Sequence, residues 1–506
     1  MGVLSHLLPL PFPAVRTPGA GRRTAASLTW WGLGLLALLP GLALVPLFPQ
    51  HALLAAAAAT ALVAVAALVL HTPAWGACAL LVIVYWNASD VMTDAFGFSW
   101  LLRLVIAGAL GAWALEWLTR RDTAPARWPL ARPMAAYAAV LALASVGALD
   151  PGAALAALLE FGKAALVFYL VANVLARPQY FRWGIEAVTL AGGLLALPVV
   201  YQGVTGSRNT FWGFGAITRG EIVPGEFGTR LGGAIGDPNF LAMVLVAALP
   251  LALVLALEEG APLWRRGFAL IIAAMELGAT VFTYSRAAML GLALIGVLVL
   301  IKYRRRPMLW ALALCLTLAA AVLLPQGFRA RIATLGEASL TRQQQQIGDA
   351  SFRVRRNAYV SGALMFLDHP LLGVGPGNYE RNFFDYSALA GLSGESKVRD
   401  PHSLPIQIAA ETGLAGLAVF GWILAAGLGE MGRARRRLRA AGAPHFADLI
   451  WALELAVATY MLLSLFLHGA YFRHFWILLG LGVLGASLAQ APAPRRERAA
   501  IARVGA

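Results

Sequence analysis

The sequence predicts an all-α, polytopic membrane protein with about fourteen transmembrane helices and one large periplasmic loop that contains amphipathic helices. The 506-residue chain is 59% hydrophobic and only 13% charged, whereas soluble proteins are about one quarter charged. Continuous apolar runs, long enough to cross a hydrocarbon core of about 30 Å, recur throughout the sequence. A transmembrane barrel would show short alternating segments instead of such runs.

The apolar runs divide the chain in order. Residues 1–27 are predicted to be a cytoplasmic segment, 28–203 an N-terminal transmembrane bundle, 204–489 a transmembrane core with the candidate catalytic residues, and 490–506 a cytoplasmic tail. Two long outer loops, 204–233 and 326–402, belong to the core. The predicted spans are 28–48, 52–70, 74–86, 98–118, 132–149, 153–175, 182–203, 235–257, 266–283, 286–301, 307–325, 403–428, 446–467 and 472–489.

Positive charge alternates between the loops that join these spans. If the N-terminus is inside, the loops after even-numbered spans are cytoplasmic, and nearly all of them carry arginine or lysine, as the positive-inside rule requires. The outer segment 87–97 carries neither residue. This alternation accounts for most of the net charge of +15. It therefore argues against nucleic acid as a partner and places both termini in the cytoplasm.

The second outer loop contains a predicted amphipathic helix. Within 351–368, four residues recur at helical spacing on one face: Phe352, Tyr359, Ala363 and Phe366. Such a helix would lie on the outer membrane surface or cap the bundle. His369 and Pro370 end it, and the glycine-rich segment 373–378 follows as a tight irregular loop.

His402 is the first candidate catalytic residue. It lies at the outer end of the twelfth predicted span, where water meets lipid headgroups. Neutral imidazole at that boundary can take a proton from a hydroxyl at ambient pH. The alternative is a structural role in the turn formed with Asp400 and Pro401.

Arginines on the same side are candidate anion ligands. Arg286 begins a helix, where both the charge rule and the helix dipole disfavour a cation unless an anion is bound there. Snorkelling into lipid headgroups is the alternative. Arg230 precedes Asp237 and Pro238, which form an N-cap signature with proline at the first helical position. Arg208 and Arg219 share the loop of Arg230, with weaker support.

Other polar residues are less specific. Glu411 follows His402 by nine residues, which places the two side chains on opposite faces of a regular helix and makes a direct dyad unexpected. His468 and His474 flank an outer turn and are a weak metal signal. No metal-ligand spacing and no nucleotide fingerprint is present, since the segment 373–377 neither follows a strand nor opens a clear helix.

Four segments, by their residues and their order along the chain, resemble the O-antigen ligase superfamily. His402 followed by ten residues and Gly413 is similar to that family's histidine motif, and the segment 368–379 is similar to its preceding loop. Arg230 with the segment 236–239, and the segment 283–286, match two earlier arginine positions. The resemblance covers roughly residues 225–480. Ser403, where an asparagine often follows the histidine, and the span count leave the subfamily open.

The resemblance implies an enzyme that takes a glycan from undecaprenyl diphosphate at the periplasmic face of the bacterial inner membrane and transfers it to an acceptor hydroxyl. His402 would be the base, and Arg230 and Arg286 would hold the diphosphate. The leaving group is already activated, so neither metal, nucleotide nor other cofactor is expected. Possible additional substrate contacts are Arg208, Arg219, Asp237, Asn239, Asn378, Tyr379 and Glu411.

The acceptor stays open. A lipid A-core sugar would make the protein a ligase, another repeat unit a polymerase, and a protein serine or threonine an oligosaccharyltransferase. The leading hypothesis is O-antigen ligation. A transporter or flippase of lipid-linked glycans is the alternative from another class, and it would need a charged central path but not His402. A non-catalytic envelope scaffold would need neither His402 nor Arg286.

Overall fold

The computed structural model describes residues 73–119, 129–223, 226–307, 310, 350–391, 400–470 and 472–489. The predicted spans 28–48 and 52–70, and nearly all of 307–325, lie outside the described residues. Helices occupy the eleven remaining predicted spans, and further helices lie between those spans. They are α1 Pro73–Tyr85, α2 Ala88–Phe96, α3 Leu101–Thr119, α4 Ala131–Ala144, α5 Pro151–Val174, α6 Pro178–Thr205, α7 Pro238–Leu257, α8 Leu263–Phe282, α9 Arg286–Lys302, α10 Ala350–Asp368, α11 Tyr379–Leu389, α12 Leu404–Ala440, α13 Pro444–Leu463 and α14 Arg473–Leu488.

Several of these helices can cross a membrane. Within the described ranges, α5, α6, α7, α12 and α13 are each long and apolar enough to do so, and the bent pair α1–α2 can count as a sixth span. Shorter apolar helices lie in α3, α4 and α14. The chain is therefore a multi-pass membrane protein, and the total of about fourteen crossings stays a prediction.

Two segments predicted as loops have regular structure. Residues 204–233 contain an antiparallel hairpin of β1 Ala216–Val223 and β2 Glu226–Gly233, so the all-α prediction is wrong at this place. The hairpin residues include Ile217 and Thr218, whose branched side chains favour strands. In addition, α2 follows α1 at a 62° bend, which Asn87 makes with a φ of 59°.

Helix α7 is the centre of the bundle. It packs against α6, α8, α9 and α13, and 89% of its most apolar stretch is buried inside the protein. Its start is fixed as the sequence predicted. The Asp237 carboxylate accepts hydrogen bonds from the backbone N–H groups of Asn239 (2.7 Å) and Phe240 (3.0 Å), and Pro238 occupies the first turn.

The predicted outer loops meet at one end of the bundle, called the loop end here. Asn87 donates to the Ala234 carbonyl at 2.9 Å, and the Asp150 N–H donates to Asn378 at 2.7 Å. The predicted inner loops meet at the opposite, basic end. There Arg182 forms a bidentate ion pair with Glu258, in which both guanidinium nitrogens lie 2.7 Å from a carboxylate oxygen. The charge alternation thus grouped the described loops correctly.

The predicted amphipathic helix exists as α10, but its buried face is different. The buried side chains are Asn357, Ala358, Ser361 and Met365, whereas Ala363 is exposed and Tyr359 and Phe366 are half-buried. This face packs on α12, where a Cβ on Gly362 would lie 2.4 Å from Ile406. Small residues allow this close approach, so α10 caps the bundle through a face that apolar periodicity did not reveal.

Candidate active site

A broken helix forms the floor of the loop end. Helix α12 contains a non-helical residue, Gly413, with φ 62° and ψ −158°. This backbone region is essentially restricted to glycine. A Cβ on Gly413 would also lie 2.4 Å from the Leu371 carbonyl carbon. Ten residues separate His402 from Gly413. The need for glycine at this position is therefore explained by a helix break that packs closely against another segment of the chain.

The glycine-rich loop before α11 docks on this break. Val374 N–H donates to the Ala410 carbonyl (2.9 Å) and Gly375 N–H to the Glu411 carbonyl (3.0 Å), while Leu414 N–H donates to the Pro370 carbonyl (2.8 Å). The loop thus satisfies backbone groups that the broken helix leaves open. Irregular backbone within an apolar bundle needs such partners. The break and the loop consequently form one unit.

Glu411 helps to hold this unit. Its side chain is 3% exposed. The carboxylate accepts hydrogen bonds from the backbone N–H groups of Gly377 and Tyr379 and from the amide of Gln407. The Gln407 oxygen in turn accepts from Gly469 N–H at 2.8 Å. Glu411 therefore links α12 to the loop before α11 and does not contact His402 in this arrangement.

His402 lies just before α12 in an unusual backbone conformation. Its φ is 48°, in the left-handed region that residues other than glycine seldom adopt. The Tyr359 hydroxyl of α10 lies 3.2 Å from the His402 carbonyl and 3.2 Å from the Leu465 carbonyl. Two elements therefore hold the turn, which presents a half-buried imidazole at the loop end.

A second histidine faces the first. The rings of His402 and His468 have centroids 6.0 Å apart and meet edge to face. His468 Nε2 lies 3.6 Å from an Asp400 carboxylate oxygen. The Asp400 carboxylate also hydrogen-bonds the Glu380 carboxyl, and burial together with this acidic neighbour raises the pKa of Glu380. Sequence spacing could not show this cluster, because His402 and His468 lie 66 residues apart.

Burial keeps both imidazoles neutral. Desolvation, together with the neighbouring His468 and Arg355, lowers the pKa of His402 to about 4. Asp400 and Asp237 oppose this shift. Desolvation also lowers the pKa of His468, and the Asp400 and Asp237 carboxylates again oppose this shift. At neutral pH His402 therefore has a free lone pair that can accept a proton.

The two predicted anion-binding segments lie side by side. Arg230 Nε donates to the Thr283 carbonyl at 3.0 Å, and its terminal nitrogen donates to Asn239 Oδ1 at 2.9 Å. Thr283 belongs to the turn that leads through Tyr284, with a φ of 53°, to Arg286 at the start of α9. The backbone N–H groups at the start of α9 thus follow directly after the turn that Arg230 contacts, and Arg286 is the first residue of that helix. This combination of charge and donors suits an anion.

Helix α7 connects the arginine turn to the histidine pair. Asn239, which Arg230 contacts, is followed by Phe240, whose ring lies 5.1 Å from that of His468. The charge of the Asp237 carboxylate raises the pKa of His402 and of His468, against the effect of burial. A chain of contacts therefore runs from the 283–286 turn through Arg230, Asn239 and Phe240 to His468 and His402. Among the sequence arguments, only the family resemblance had joined Arg230 and the 283–286 segment to His402, and none had included His468.

Other predicted contacts occupy different positions. Arg208 is exposed on the segment after α6, and Arg219 lies on β1 with its backbone paired to Thr229. Asn378 is buried and forms hydrogen bonds in both directions with the backbone of Asp150. The Tyr379 hydroxyl donates to the Ala358 carbonyl at 2.5 Å. Asn378 and Tyr379 thus hold the loop before α11 in place.

The other histidine of the weak metal signal is separate from this site. His474 Nε2 lies 3.1 Å from the Tyr85 carbonyl inside the bundle. Among the residues that the structure describes, no group of three or more His, Cys, Asp or Glu side chains is placed to hold a metal ion.

Residues 268–421 match the model of the family described as O-antigen ligase. The resemblance to the O-antigen ligase superfamily is therefore confirmed. No curated protein matches the chain in sequence. The matched stretch includes the Thr283–Arg286 turn, the loop before α11, His402 and the Gly413 break, and it implies ligase-like or polymerase-like glycan transfer.

Two site segments lie outside the stretch that matches the O-antigen ligase family. Arg230 and Asp237 precede it, and His468 follows it. The contacts of Arg230 with Thr283 and of His468 with Asp400 attach these residues to the matched stretch. His468 is the site residue that sequence reasoning missed. Its only sequence signal was a histidine at a predicted outer turn, which had been considered as a metal ligand.

Proposed function

We propose that the protein transfers a glycan from undecaprenyl diphosphate to an acceptor hydroxyl at the periplasmic face of the bacterial inner membrane, and that it is an O-antigen ligase acting on lipid A-core. One observation carries the proposal: contacts through the start of α7 join a neutral, strained histidine to the arginine-bound turn before α9, at the end of the bundle that lacks the basic loops. Membrane lipids surround the bundle in this proposal, and both termini are cytoplasmic.

The chemistry follows from these groups. Neutral His402 accepts the proton of the acceptor hydroxyl as that oxygen forms a bond to the anomeric carbon. The bond between the anomeric carbon and the phosphate oxygen breaks, and its electron pair stays on the diphosphate. Arg230 and Arg286 stabilise the charge that develops there. A single displacement inverts the anomeric carbon, and the diphosphate leaving group requires neither a nucleotide nor a metal for activation.

The strained turn gives His402 a fixed direction. A left-handed backbone at a residue other than glycine costs about 1–3 kcal/mol and persists only where the surroundings enforce it. Here Tyr359 binds the His402 carbonyl and the N–H of Leu404 donates to the Ser464 carbonyl at 2.8 Å. The cost is consistent with a residue positioned for a reaction, because a base must be aligned with the proton it removes.

Polymerase and protein oligosaccharyltransferase activities differ from ligase activity only in the acceptor. The matched family supports ligase-like and polymerase-like transfer alike. A transporter of lipid-linked glycans would need charged residues along a central path. Helix α7 at the centre of the bundle carries no charged residue between Pro238 and Leu257, which favours the transferase.

The test is transfer by the purified protein in detergent or nanodiscs, with undecaprenyl-diphosphate glycan as donor and EDTA present. Lipid A-core, a second repeat unit and a serine- or threonine-containing peptide serve as separate acceptors. We expect wild type to glycosylate lipid A-core and His402→Ala to be at least about a hundredfold slower. His445→Ala, at the exposed basic end, is the matched control and should behave as wild type.

Each acceptor arm has a different meaning. Transfer only to a repeat unit identifies a polymerase, and transfer only to peptide identifies an oligosaccharyltransferase. Equal rates in wild type and His402→Ala would remove His402 from the mechanism. Failure of folded wild type with every acceptor would reject the transferase and favour the transporter.

A further inference from the structure

The described residues of the site include a second imidazole that the proposed chemistry does not use. His468 lies in the connection between α13 and α14, and its side chain is 20% exposed. Its ring contacts His402 edge to face, with centroids 6.0 Å apart. Proton acceptance by His402 requires no second imidazole, so the presence of this one needs its own explanation.

Contacts on several sides fix the His468 ring. Asp400 lies 3.6 Å from Nε2, and the Phe240 ring of α7 meets the imidazole edge to face at 5.1 Å. The backbone on both sides is anchored: Gly469 N–H donates to Gln407 Oε1 at 2.8 Å and Ala470 N–H to the same oxygen at 3.1 Å. The ring is therefore held independently of His402.

His402 has a different set of restraints. Its backbone is held by Tyr359, and its imidazole has the His468 ring as an aromatic neighbour. A side chain can rotate about its own χ angles even where the backbone is fixed. A ring that is immobilised by other partners can limit this rotation through an edge-to-face contact, which is worth about 0.5–1.5 kcal/mol beyond the buried area.

We propose that His468, held by Asp400 and Phe240, is a positioning residue that fixes the orientation in which the His402 imidazole meets the acceptor hydroxyl. This inference rests on the proposed transferase function. His468 acts through His402 and touches neither the donor nor the acceptor. Asp400 acts one step further away, through the ring of His468, and Glu380 supports Asp400 by the hydrogen bond between their carboxyl groups.

The charge of His468 also affects the pKa of His402. The charged groups that face His402 are His468, Arg355 of α10, Asp400 before α12 and Asp237 before α7. When His468 is protonated it disfavours a proton on His402. A residue that positions only by shape and a residue that also shares this electrostatic environment can therefore be separated by the pH dependence of the reaction.

The experiment compares full-length wild type with His468→Ala, His468→Phe, His402→Ala and the control His445→Ala in the glycan-transfer assay. We expect His468→Ala to lower kcat about tenfold to a hundredfold and to change KM for either substrate less than about twofold. His468→Phe keeps an aromatic edge against His402 and should recover most of this loss. Because it removes a neighbouring cation, it should also move the acidic limb of the kcat/KM profile to higher pH.

The outcomes separate the inference from the proposed function. No transfer by folded wild type would reject the function itself. A slow His402→Ala together with a wild-type-like His468→Ala would leave the function intact and overturn the inference. An inactive His468→Phe with native thermal unfolding would overturn positioning by the ring. If His468→Ala does not fold, His468→Phe decides alone, and a natively folded His468→Phe with kcat as low as that of His402→Ala then refutes the proposal.

Discussion

At the residue scale, the site depends on side chains in costly backbone conformations. His402 and Tyr284 have φ values of 48° and 53°. His402 begins the segment that resembles the family's histidine motif, and Tyr284 lies in the segment that resembles one of its arginine positions. Strain of this kind is found where surrounding contacts determine a functional geometry. The neutral state of His402 arises in the same way, since burial by neighbouring elements lowers the pKa to about 4.

This pKa gives a pH prediction. His402 accepts a proton only in its neutral form, and its pKa in the folded protein lies below the ordinary value of 6.5. We therefore expect kcat/KM to stay constant as pH falls through 6.5 and to decrease only near about pH 4. Initial rates of glycan transfer between pH 3.5 and 8, in protein shown by scattering to remain dispersed, measure this limb. A midpoint near 6.5 would show that His402 is solvated during the reaction.

Arg230 gives a second prediction at this scale. Its guanidinium spans from Thr283 to Asn239 with two donors, a geometry that the single ammonium of lysine cannot reproduce. Arg230→Lys should weaken donor binding about tenfold to a hundredfold, which corresponds to loss of one charge-assisted hydrogen bond. Isothermal titration with undecaprenyl diphosphate measures the affinity. Arg265→Lys, an exposed arginine at the basic end, is the control, and equal affinities in all three proteins would contradict the assignment.

At the element scale, the site is built from interrupted helices. Helix α12 breaks at Gly413, and the loop before α11 fills the break with backbone hydrogen bonds. Glu411 and Gln407 then tie this unit to two other connections, the start of α11 and the segment after α13. The break consequently positions His402 on a frame of several elements, which a continuous helix would not provide.

Gly413→Ala tests the role of the break. The alanine would need a backbone region that costs about 1–3 kcal/mol, and its Cβ would approach Leu371 to 2.4 Å. We expect a thermal unfolding midpoint lower by several degrees and a reduced kcat. Gly421→Ala lies in the same helix with open space around the new Cβ, so it should be neutral or slightly stabilising. Identical behaviour of the two variants would show that the break is dispensable.

At the scale of the whole molecule, the bundle has two chemically different ends. The basic end is held by ion pairs, including Arg182 with Glu258 and Arg435 with Glu454 at 2.9 Å. The loop end holds the histidine pair and the arginine turn. The distribution of positive charge predicts that the basic end faces the cytoplasm.

Sidedness can be measured by cysteine labelling. In a background without Cys78 and Cys315, Leu389→Cys and His445→Cys place one thiol on an exposed position at each end. A membrane-impermeant maleimide applied to spheroplasts should label Leu389→Cys and leave His445→Cys unlabelled until the membrane is permeabilised. The reverse pattern would place the site in the cytoplasm and reject a periplasmic reaction.

Sequence patterns that depend on neighbours along the chain predicted the structure well. Helices occupy the eleven predicted spans that lie within the described ranges, because a long apolar run in lipid must satisfy its backbone hydrogen bonds internally. The Asp237 N-cap was also predictable, since its carboxylate binds N–H groups two and three residues ahead. Local rules failed for α10, whose buried face follows small residues at the contact with α12.

The sequence by itself determined the class of protein, the grouping of loops into two ends and the separate motifs around Arg230, Arg286 and His402, because each of these depends on hydrophobicity, charge or short-range geometry. Only the tertiary structure decided which motifs meet. It joined Arg230 to Thr283, docked the loop before α11 on Gly413 and brought His468 to His402. These contacts arise from how whole helices pack, and packing depends on shape complementarity between segments far apart in the chain.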